Sequence, residues 1–196
     1  MDPSRLPELS CRDLLDLIAS EERVPAGGSS AALVVAIAAG LVAKAARLSR
    51  SEWLEAGGAA VQADTLRARA LSLAQSDAVA YEDALATFEG IDKVAPDRRD
   101  AAIQDALIRS AEVPLLISQT ACDVSLLAAD VAQAGNPELG ADAGVAALLA
   151  EAAARAAGHL VEVNLATIPE DERTARGEEL ASKAKTAAKR ALAGAG

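Results

Sequence analysis

Residues 24–43 read VPAGGSSAALVVAIAAGLVA, a proline and glycine loop that runs directly into a long apolar helix. The helix is predicted to begin at Ser29 or Ser30 and to end at about Arg50, and it is apolar all round as far as Lys44. A helix without a polar face belongs in the centre of a bundle or at an interface between subunits. The stretch therefore predicts a helical protein built around one buried helix.

The start of this helix is also the first candidate site. The first N–H groups of a helix lack partners within it, and they attract anionic or carbonyl oxygen atoms. The alternative is an ordinary helix start, because serine is a frequent N-cap residue. The spacing matches neither the phosphate-binding P-loop nor the dinucleotide fingerprint.

Composition extends the helical prediction to the whole chain. The 196 residues include 50 alanines but only one Trp, one Tyr and one Phe. Alanine has the highest helix propensity, whereas sheets favour branched and aromatic side chains. We expect an all-α fold, a single bundle of five or six long helices forming one domain over residues 1–196. The first two predicted helices run from Ser10 to about Glu22 and from Ser29 or Ser30 to about Arg50. After a break at Gly57-Gly58, the third runs from about Ala59 to Glu89, and the fourth runs from near Pro96, with a kink at Pro114, to a turn at 134–137. The last two run from Asp142 to about Ala166 and from Pro169 to about Leu192.

Charge and cysteine usage exclude several classes of function. The net charge of -10 disfavours a nucleic-acid partner, because phosphate binding needs clustered Lys and Arg. Cys11 and Cys122 have no metal-binding or redox spacing, and the single histidine removes most designs of zinc site. The first five residues lack a signal pattern, and the uncharged stretch from Ala31 to Ala43 is too short to span a bilayer. We expect a cytoplasmic protein without a membrane partner.

A set of short motifs points to one family. In order they are Pro25-Ala26-Gly27-Gly28-Ser29-Ser30-Ala31-Ala32, Asp77-Ala78 with Ala80-Tyr81, Val113-Pro114-Leu115, Gly135-Asn136, Asp142-Ala143-Gly144-Val145-Ala146-Ala147 and Val163-Asn164-Leu165. This ordered set resembles the cyclodeaminase domain of formiminotransferase-cyclodeaminase, whose bacterial stand-alone relatives include methenyltetrahydrofolate cyclohydrolases. The resemblance covers nearly the whole chain.

The resemblance implies an all-helical homodimer that acts on one-carbon tetrahydrofolates without a metal or redox cofactor. Cyclodeaminases of the family close formiminotetrahydrofolate to the methenyl form with loss of ammonia, and cyclohydrolases interconvert the methenyl and formyl forms with water. Both reactions need proton transfer and stabilisation of a tetrahedral intermediate at a carbon held between two nitrogens. The alternative is a non-catalytic helical dimer of the same fold that binds another ligand or a protein.

The candidate site residues follow from these motifs and from the charge pattern. The resemblance makes Asp77 and Asp142 the catalytic carboxylates. It also implies that Gly27, Gly28 and Ser30 line the substrate site together with Asn164. Substrate contact is further expected from Ser29 at the helix start, from the basic residues Lys44 and Arg47, and from Tyr81, whose ring suits stacking on a pterin. A structural role is the alternative for each: an ion pair for Asp77, a helix cap for Asp142 and Asn164, and core packing for Tyr81. His159 is assigned a structural role.

Two observations modify this picture. Ala26, Ser29 and Leu160 stand where the family usually has proline, glycine and asparagine. Ser30 and Arg47 are seventeen residues apart on one predicted helix, which is roughly 25 Å along its axis. Either an extended ligand reaches from the loop to Lys44 and Arg47, or an antiparallel partner helix brings these residues to the loop of the other subunit.

Overall fold

The computed structural model describes residues 3–194 and contains helices and no strand in that range. Met1, Asp2, Ala195 and Gly196, at the ends of the predicted domain, lie outside the described residues. The α-helices are α1 (Cys11–Ile18), α2 (Gly27–Leu48), α3 (Ala56–Glu89), α4 (Arg99–Ala134), α5 (Gly140–Asn164) and α6 (Glu172–Gly194), with short 3-10 turns between some of them. The predicted all-α fold with five or six long helices is confirmed, since α2 to α6 are long and α1 spans 8 residues.

Helix α2 occupies the centre of the bundle, as its apolar sequence predicts. It packs against α3, α4 and α5, while α4 and α5 pack against each other and against α6. Most of the buried residues in the main core are alanines, with Val35, Val42 and Ile117 among the few larger side chains that are fully enclosed. Small side chains let the helix axes approach closely, so the core is held by many short contacts.

The predicted helix boundaries are confirmed in some places and wrong in others. Ser10 caps α1 as expected, because its Oγ accepts a hydrogen bond of 3.2 Å from the backbone N–H of Asp13, but the helix ends at Ile18. The expected break at Gly57-Gly58 is wrong, since both glycines lie in the first turn of α3. Pro114 lies inside the continuous helix α4, where it does not end the domain.

The start of α2 corrects the interpretation of its two serines. The helix begins at Gly27 with Ala26 as the N-cap residue, so Ser29 and Ser30 lie within the first turn and neither caps the helix. The Ser30 hydroxyl donates to the carbonyl oxygen of Ala26 at 2.9 Å, and the Ser29 hydroxyl points to α3. The helix start thus lacks a side-chain cap of its own.

The motif Gly135-Asn136 lies at the other end of α2. The backbone N–H of Asn136 donates to Ser49 Oγ at 2.8 Å, and Ser49 in turn donates to the carbonyl oxygen of Ala45 at 2.8 Å. A Cβ on Gly135 would stand 2.7 Å from Ser49 Oγ, which is closer than real side chains approach. This motif therefore serves the packing of the α4–α5 turn on the end of α2.

Three helical segments are long and apolar enough to cross a membrane, judged by length and composition alone. They are Gly27–Leu48, Pro96–Ala134 and Pro137–Asn164. The expectation from Ala31 to Ala43 considered only the uncharged stretch, whereas the whole segment Gly27–Leu48 has 22 residues and a mean hydropathy of 1.9. Within the bundle, 56% of the most apolar 18-residue stretch of this helix is buried.

Candidate functional site

A cavity of about 300 Å³ lies where the start of α2 and the end of α5 meet the facing halves of α3 and α4. Its walls are mainly apolar, and Asp77 is the one charged side chain among the described residues that line it. The lining residues are Ala26, Gly27, Gly28, Asp77, Ala80, Tyr81, Ala84, Leu85, Phe88, Leu107, Ser110, Pro114, Leu160 and Asn164. This combination of apolar walls and a few convergent polar groups is typical of small-molecule sites.

Half of the residues predicted from the sequence meet at this cavity. Gly27 and Gly28 reach it from the first turn of α2, Asp77 and Tyr81 from consecutive turns of α3, and Asn164 from the last residue of α5. Residues more than eighty positions apart in the sequence are thus brought to one place, as the ordered motifs imply. Their placement agrees with the predicted site, and their roles stay predictions.

Asp77 is buried at this site, with 8% of its surface exposed. Burial raises the pKa of Asp77 above its ordinary value, and hydrogen bonds from the side chain and backbone of Ser29 oppose this rise. The alternative of a solvated aspartate paired with an arginine is wrong, since no arginine lies in an ion pair with it among the described residues. A buried carboxyl with a raised pKa in a cavity is a typical candidate for proton transfer.

The close approach of α2 to α3 explains why glycine stands at position 28. A Cβ at that position would lie 2.0 Å from Oδ1 of Asp77 and 2.5 Å from its Cγ. The absence of a side chain lets the carboxyl of α3 lie directly against the first turn of α2, whose free N–H groups and positive dipole end stabilise negative charge. Asp77 therefore takes the place of the side-chain cap that α2 lacks.

Asn164 is held by a neighbouring helix and does not cap its own. Its Nδ2 donates to the carbonyl oxygen of Ser110 on α4 at 2.8 Å, and Leu165 is the C-cap residue of α5. Because a carbonyl oxygen only accepts, this bond determines the orientation of the amide. The Asn164 Oδ1 atom has no hydrogen-bond partner of its own among the described residues, so it is free to accept one from a ligand.

Asp142 and Lys44 do not reach the cavity. Asp142 lies in the first turn of α5, where Leu139 is the N-cap residue, and its carboxylate accepts a hydrogen bond of 3.0 Å from Lys44 Nζ. Lys44 is sixteen residues beyond Gly28 on the same helix, which is roughly 24 Å along its axis. Within one protomer Asp142 therefore lies apart from the cavity around Asp77, and its catalytic role stays a prediction.

The remaining predicted residues also lie outside the lining of the cavity. Arg47 forms an ion pair with Asp64 of α3, and Ser29 and Ser30 are turned toward α3 and Ala26. His159 lies on the surface, 3.5 Å from Glu162 and outside the lining of the cavity. The geometric limit on Ser30 and Arg47 is confirmed, because both are in the single helix α2.

Several lining residues were missed by sequence reasoning. On α3, Ala84, Leu85 and Phe88 follow Asp77 and Tyr81 at helical spacing, so the face that carries the two predicted residues could have been extended to them. Pro114 stands in one of the motifs but was considered only as a kink. Leu107 and Ser110 gave no signal, because a single sequence does not show which turns of α4 face α3.

The arrangement is suited to proton transfer in a mainly apolar cavity. The carboxyl of Asp77 is held against the backbone N–H groups at the start of α2, with an amide oxygen and the Tyr81 ring nearby. No group of three His, Cys, Asp or Glu side chains between residues 3 and 194 is placed to hold a metal ion.

The chain as a whole is similar to several known proteins. Residues 10–190 match the family model described as formiminotransferase-cyclodeaminase. A methenyltetrahydrofolate cyclohydrolase of Methylorubrum extorquens is 32% identical over 159 residues, which are 76% of this chain and 76% of that protein. A crystal structure of formiminotetrahydrofolate cyclodeaminase from Thermotoga maritima has the same fold, with a TM-score of 0.86 and 22% identity over 96% of each chain.

Proposed function

Because the chain belongs to the formiminotransferase-cyclodeaminase family, we propose that it is an enzyme that converts a one-carbon tetrahydrofolate in the cavity around Asp77. The observation that carries this proposal is the buried carboxyl of Asp77 against the first turn of α2, in a cavity with no other charged group among its described lining residues. The family's cyclohydrolase and cyclodeaminase reactions both require such a proton-transfer group.

The proposed chemistry uses groups that α2, α3 and α5 present to the cavity. For the cyclohydrolase reaction, water adds to the carbon that bridges the two folate nitrogens while its proton passes to the Asp77 carboxylate. The N–H groups of Gly27 and Gly28, beside the Ser29 N–H that bonds Asp77, stabilise the oxygen of the tetrahedral intermediate, and Asn164 Oδ1 accepts a hydrogen bond from the substrate. One carbon–nitrogen bond then breaks as the hydroxyl of the intermediate releases its proton to solvent and becomes the formyl oxygen, and the carboxyl returns the first proton to the leaving nitrogen. Tyr81 stacks on the ring system of the substrate.

Of the two family reactions, we propose methenyltetrahydrofolate hydrolysis first. The support is the relative named a methenyltetrahydrofolate cyclohydrolase, which is more similar in sequence to this chain than the solved cyclodeaminase is. In the cyclodeaminase reaction, a folate nitrogen attacks the formimino carbon and gives its proton to the Asp77 carboxylate, which passes it to the formimino nitrogen. A second proton from solvent lets that nitrogen leave as ammonia and the methenyl cation form. No metal or redox cofactor takes part in either scheme, and we propose a cytoplasmic location.

The experiment measures both reactions on one protein sample. Loss of methenyltetrahydrofolate is followed by its absorbance against the uncatalysed rate, and ammonia release from formiminotetrahydrofolate is followed in a coupled assay. Acceleration of the first reaction alone supports the cyclohydrolase, and of the second alone the cyclodeaminase. If neither rate changes, the enzyme proposal fails, and calorimetry with a stable folate analogue then tests the non-catalytic alternative.

We also propose that the protein is a homodimer formed through α2 and α5. Exposed apolar side chains lie one turn on either side of the Lys44–Asp142 ion pair, including Leu48 on α2 and Val145 on α5, and Ile37 continues the stripe with 60% of its surface exposed. An apolar stripe along two adjacent helices suits an isologous contact with a second copy. An antiparallel crossing at Ile37 puts Lys44 of one subunit opposite Ser30 of the other, because both are seven residues from Ile37.

Ile37→Glu is expected to weaken this dimer by at least about 100-fold, because a symmetric contact would bury two unpaired carboxylates near its centre. Sedimentation velocity over a range of protein concentrations measures the change. Leu116→Glu is the matched control, since Leu116 is an exposed apolar residue of α4 outside the stripe. A parent protein that sediments as a monomer, or equal sedimentation of the parent and Ile37→Glu, contradicts the proposed interface.

A further inference from the structure

The hydroxyl of Ser29 lies between two oxygen atoms of α3. Its Oγ is 2.9 Å from Oδ2 of Asp77 and 2.9 Å from the carbonyl oxygen of Ala74. Ser29 is fully buried, and it does not line the cavity. Because a hydroxyl has one hydrogen, it can donate to only one of these oxygens at a time, while its lone pairs can accept a bond from the other side.

Each charge state of Asp77 has a complete set of hydrogen bonds in this arrangement. When the carboxyl is ionised, Ser29 donates to Oδ2, and the Ala74 carbonyl keeps its bond within helix α3. When the carboxyl carries a proton on Oδ2, it donates to Ser29 Oγ, and the hydroxyl turns to donate to Ala74. Neither state leaves Ser29 Oγ, Asp77 Oδ2 or the Ala74 carbonyl oxygen without a partner, so the change of charge costs little rearrangement.

We propose that Ser29 is a positioning residue whose hydroxyl turns between Asp77 and Ala74 as the carboxyl gains and loses its proton. This inference rests on the proposed function, in which Asp77 takes a proton and returns it in each turnover. It replaces the direct contact with substrate that the sequence suggested for Ser29. The neighbouring Ser30 has no such role, since its hydroxyl donates to Ala26 within its own helix turn.

The charges around Asp77 make its titration simple to interpret. Tyr81 is the other titratable group among the described residues that line the cavity, and the lining residues from α2, α4 and α5 are uncharged. Behind the carboxyl, Ala78 packs against the apolar side chains of Leu6 and Val24. The charge state of Asp77 is therefore set by three factors: its burial, the N–H groups at the start of α2, and the hydrogen bonds from Ser29.

The test is a carbon-13 NMR titration of the Asp77 side-chain carboxyl in the unliganded protein, assigned by comparison with Asp77→Asn. Ser29→Ala is expected to move the midpoint upward by about one pH unit, because the carboxylate loses a donated hydrogen bond. Ser29→Cys, which keeps a weak donor of similar size, is expected to give a smaller upward shift. Ser125→Ala is the matched control, because it also removes a fully buried hydroxyl that donates to a helix carbonyl. Ser125 lies on α4, far from Asp77.

Equal midpoints for Ser29→Ala and Ser125→Ala, or a downward shift in Ser29→Ala, overturn the proposal. The titration needs no substrate, so it also separates this inference from the proposed function. An upward shift in a protein that catalyses neither folate reaction refutes the function and leaves the pairing of Ser29 with Asp77 standing. Catalysis together with an unchanged midpoint in Ser29→Ala supports the proposed function and refutes the role of Ser29.

Discussion

Gly28→Ala is expected to lower folate turnover by at least about 100-fold, which is the lower range for loss of a proton-transfer group. The added Cβ would stand 2.0 Å from Oδ1 and 2.7 Å from Oδ2 of Asp77. The side chain of Asp77 is short and its helix is packed on both sides of the contact. The carboxyl must therefore move away from the first turn of α2, or the two helices must move apart. Either change removes the proton-transfer group from its place, and we expect about 1–3 kcal/mol less stability.

Two further variants separate this clash from a general effect of alanine. Gly57→Ala is the matched control, because a Cβ at Gly57, also in the first turn of a helix, meets nothing within 4 Å. It should leave turnover unchanged and raise the unfolding free energy by up to about 1 kcal/mol. In Gly28→Ala/Asp77→Ala the clash is gone, so stability should recover while turnover stays low. Parental turnover in Gly28→Ala would show that the contact does not matter.

Asp77→Asn is expected to lower turnover by about 100- to 10,000-fold and to leave the folded structure intact. The asparagine amide can donate to Ser29 Oγ as the protonated carboxyl does, so the buried hydrogen bonds are kept. It cannot exchange a proton in the reaction. A loss of turnover in this variant therefore measures the chemistry of the carboxyl and not its packing.

The same variant has a pH-dependent effect on stability whose sign follows from the raised pKa of Asp77. In the window between the ordinary value of 3.8 and the higher folded pKa, the folded protein binds more protons than the unfolded chain. The contribution of Asp77 to stability therefore falls as pH rises through that window, and the deficit is complete above the folded pKa. Asp77→Asn removes the deficit, so it should be at least as stable as the parent at pH 7 and show no such advantage below pH 3.8.

Urea unfolding of both proteins at pH 7 and at low pH measures this difference, alongside the folate assays. Parental turnover in Asp77→Asn would exclude Asp77 as the proton-transfer group. A variant that is less stable than the parent at pH 7 would show that the start of α2 needs a charged cap more than it is harmed by burying one.

The sequence motifs predicted which residues lie at the cavity better than they predicted which of these residues contact one another. Gly28 and Asp77 were identified separately, and their contact follows from two helices that cross where one residue has no side chain. Ser29 was assigned to a cap or a ligand contact because a serine near a helix start usually has one of these roles. Its true partner is 48 residues away, and only the crossing of α2 and α3 reveals it.

Asp142, predicted as the second carboxylate, and the predicted substrate-binding residues Lys44 and Arg47 show a different limit. Lys44 and Arg47 have the positive charge that a polyanionic folate needs, and Asp142 has a carboxylate that could transfer a proton. Residue type, however, does not reveal which charges neutralise one another. In the fold, Lys44 is paired with Asp142 and Arg47 with Asp64. A role for these residues in binding a folate tail would require a ligand or a second subunit to displace or extend those pairs.

The alanine core reverses the usual pattern of mutational sensitivity. An alanine side chain has no rotamers to lose on folding and no atoms beyond Cβ to remove, so the common damaging change, truncation of a large core residue, has few targets here. Damage comes instead from enlargement, since each added methyl must separate two helices. In a library of random variants, temperature-sensitive clones should therefore be dominated by alanine-to-valine and alanine-to-threonine changes. Evolution of this fold is restricted by how little can be added.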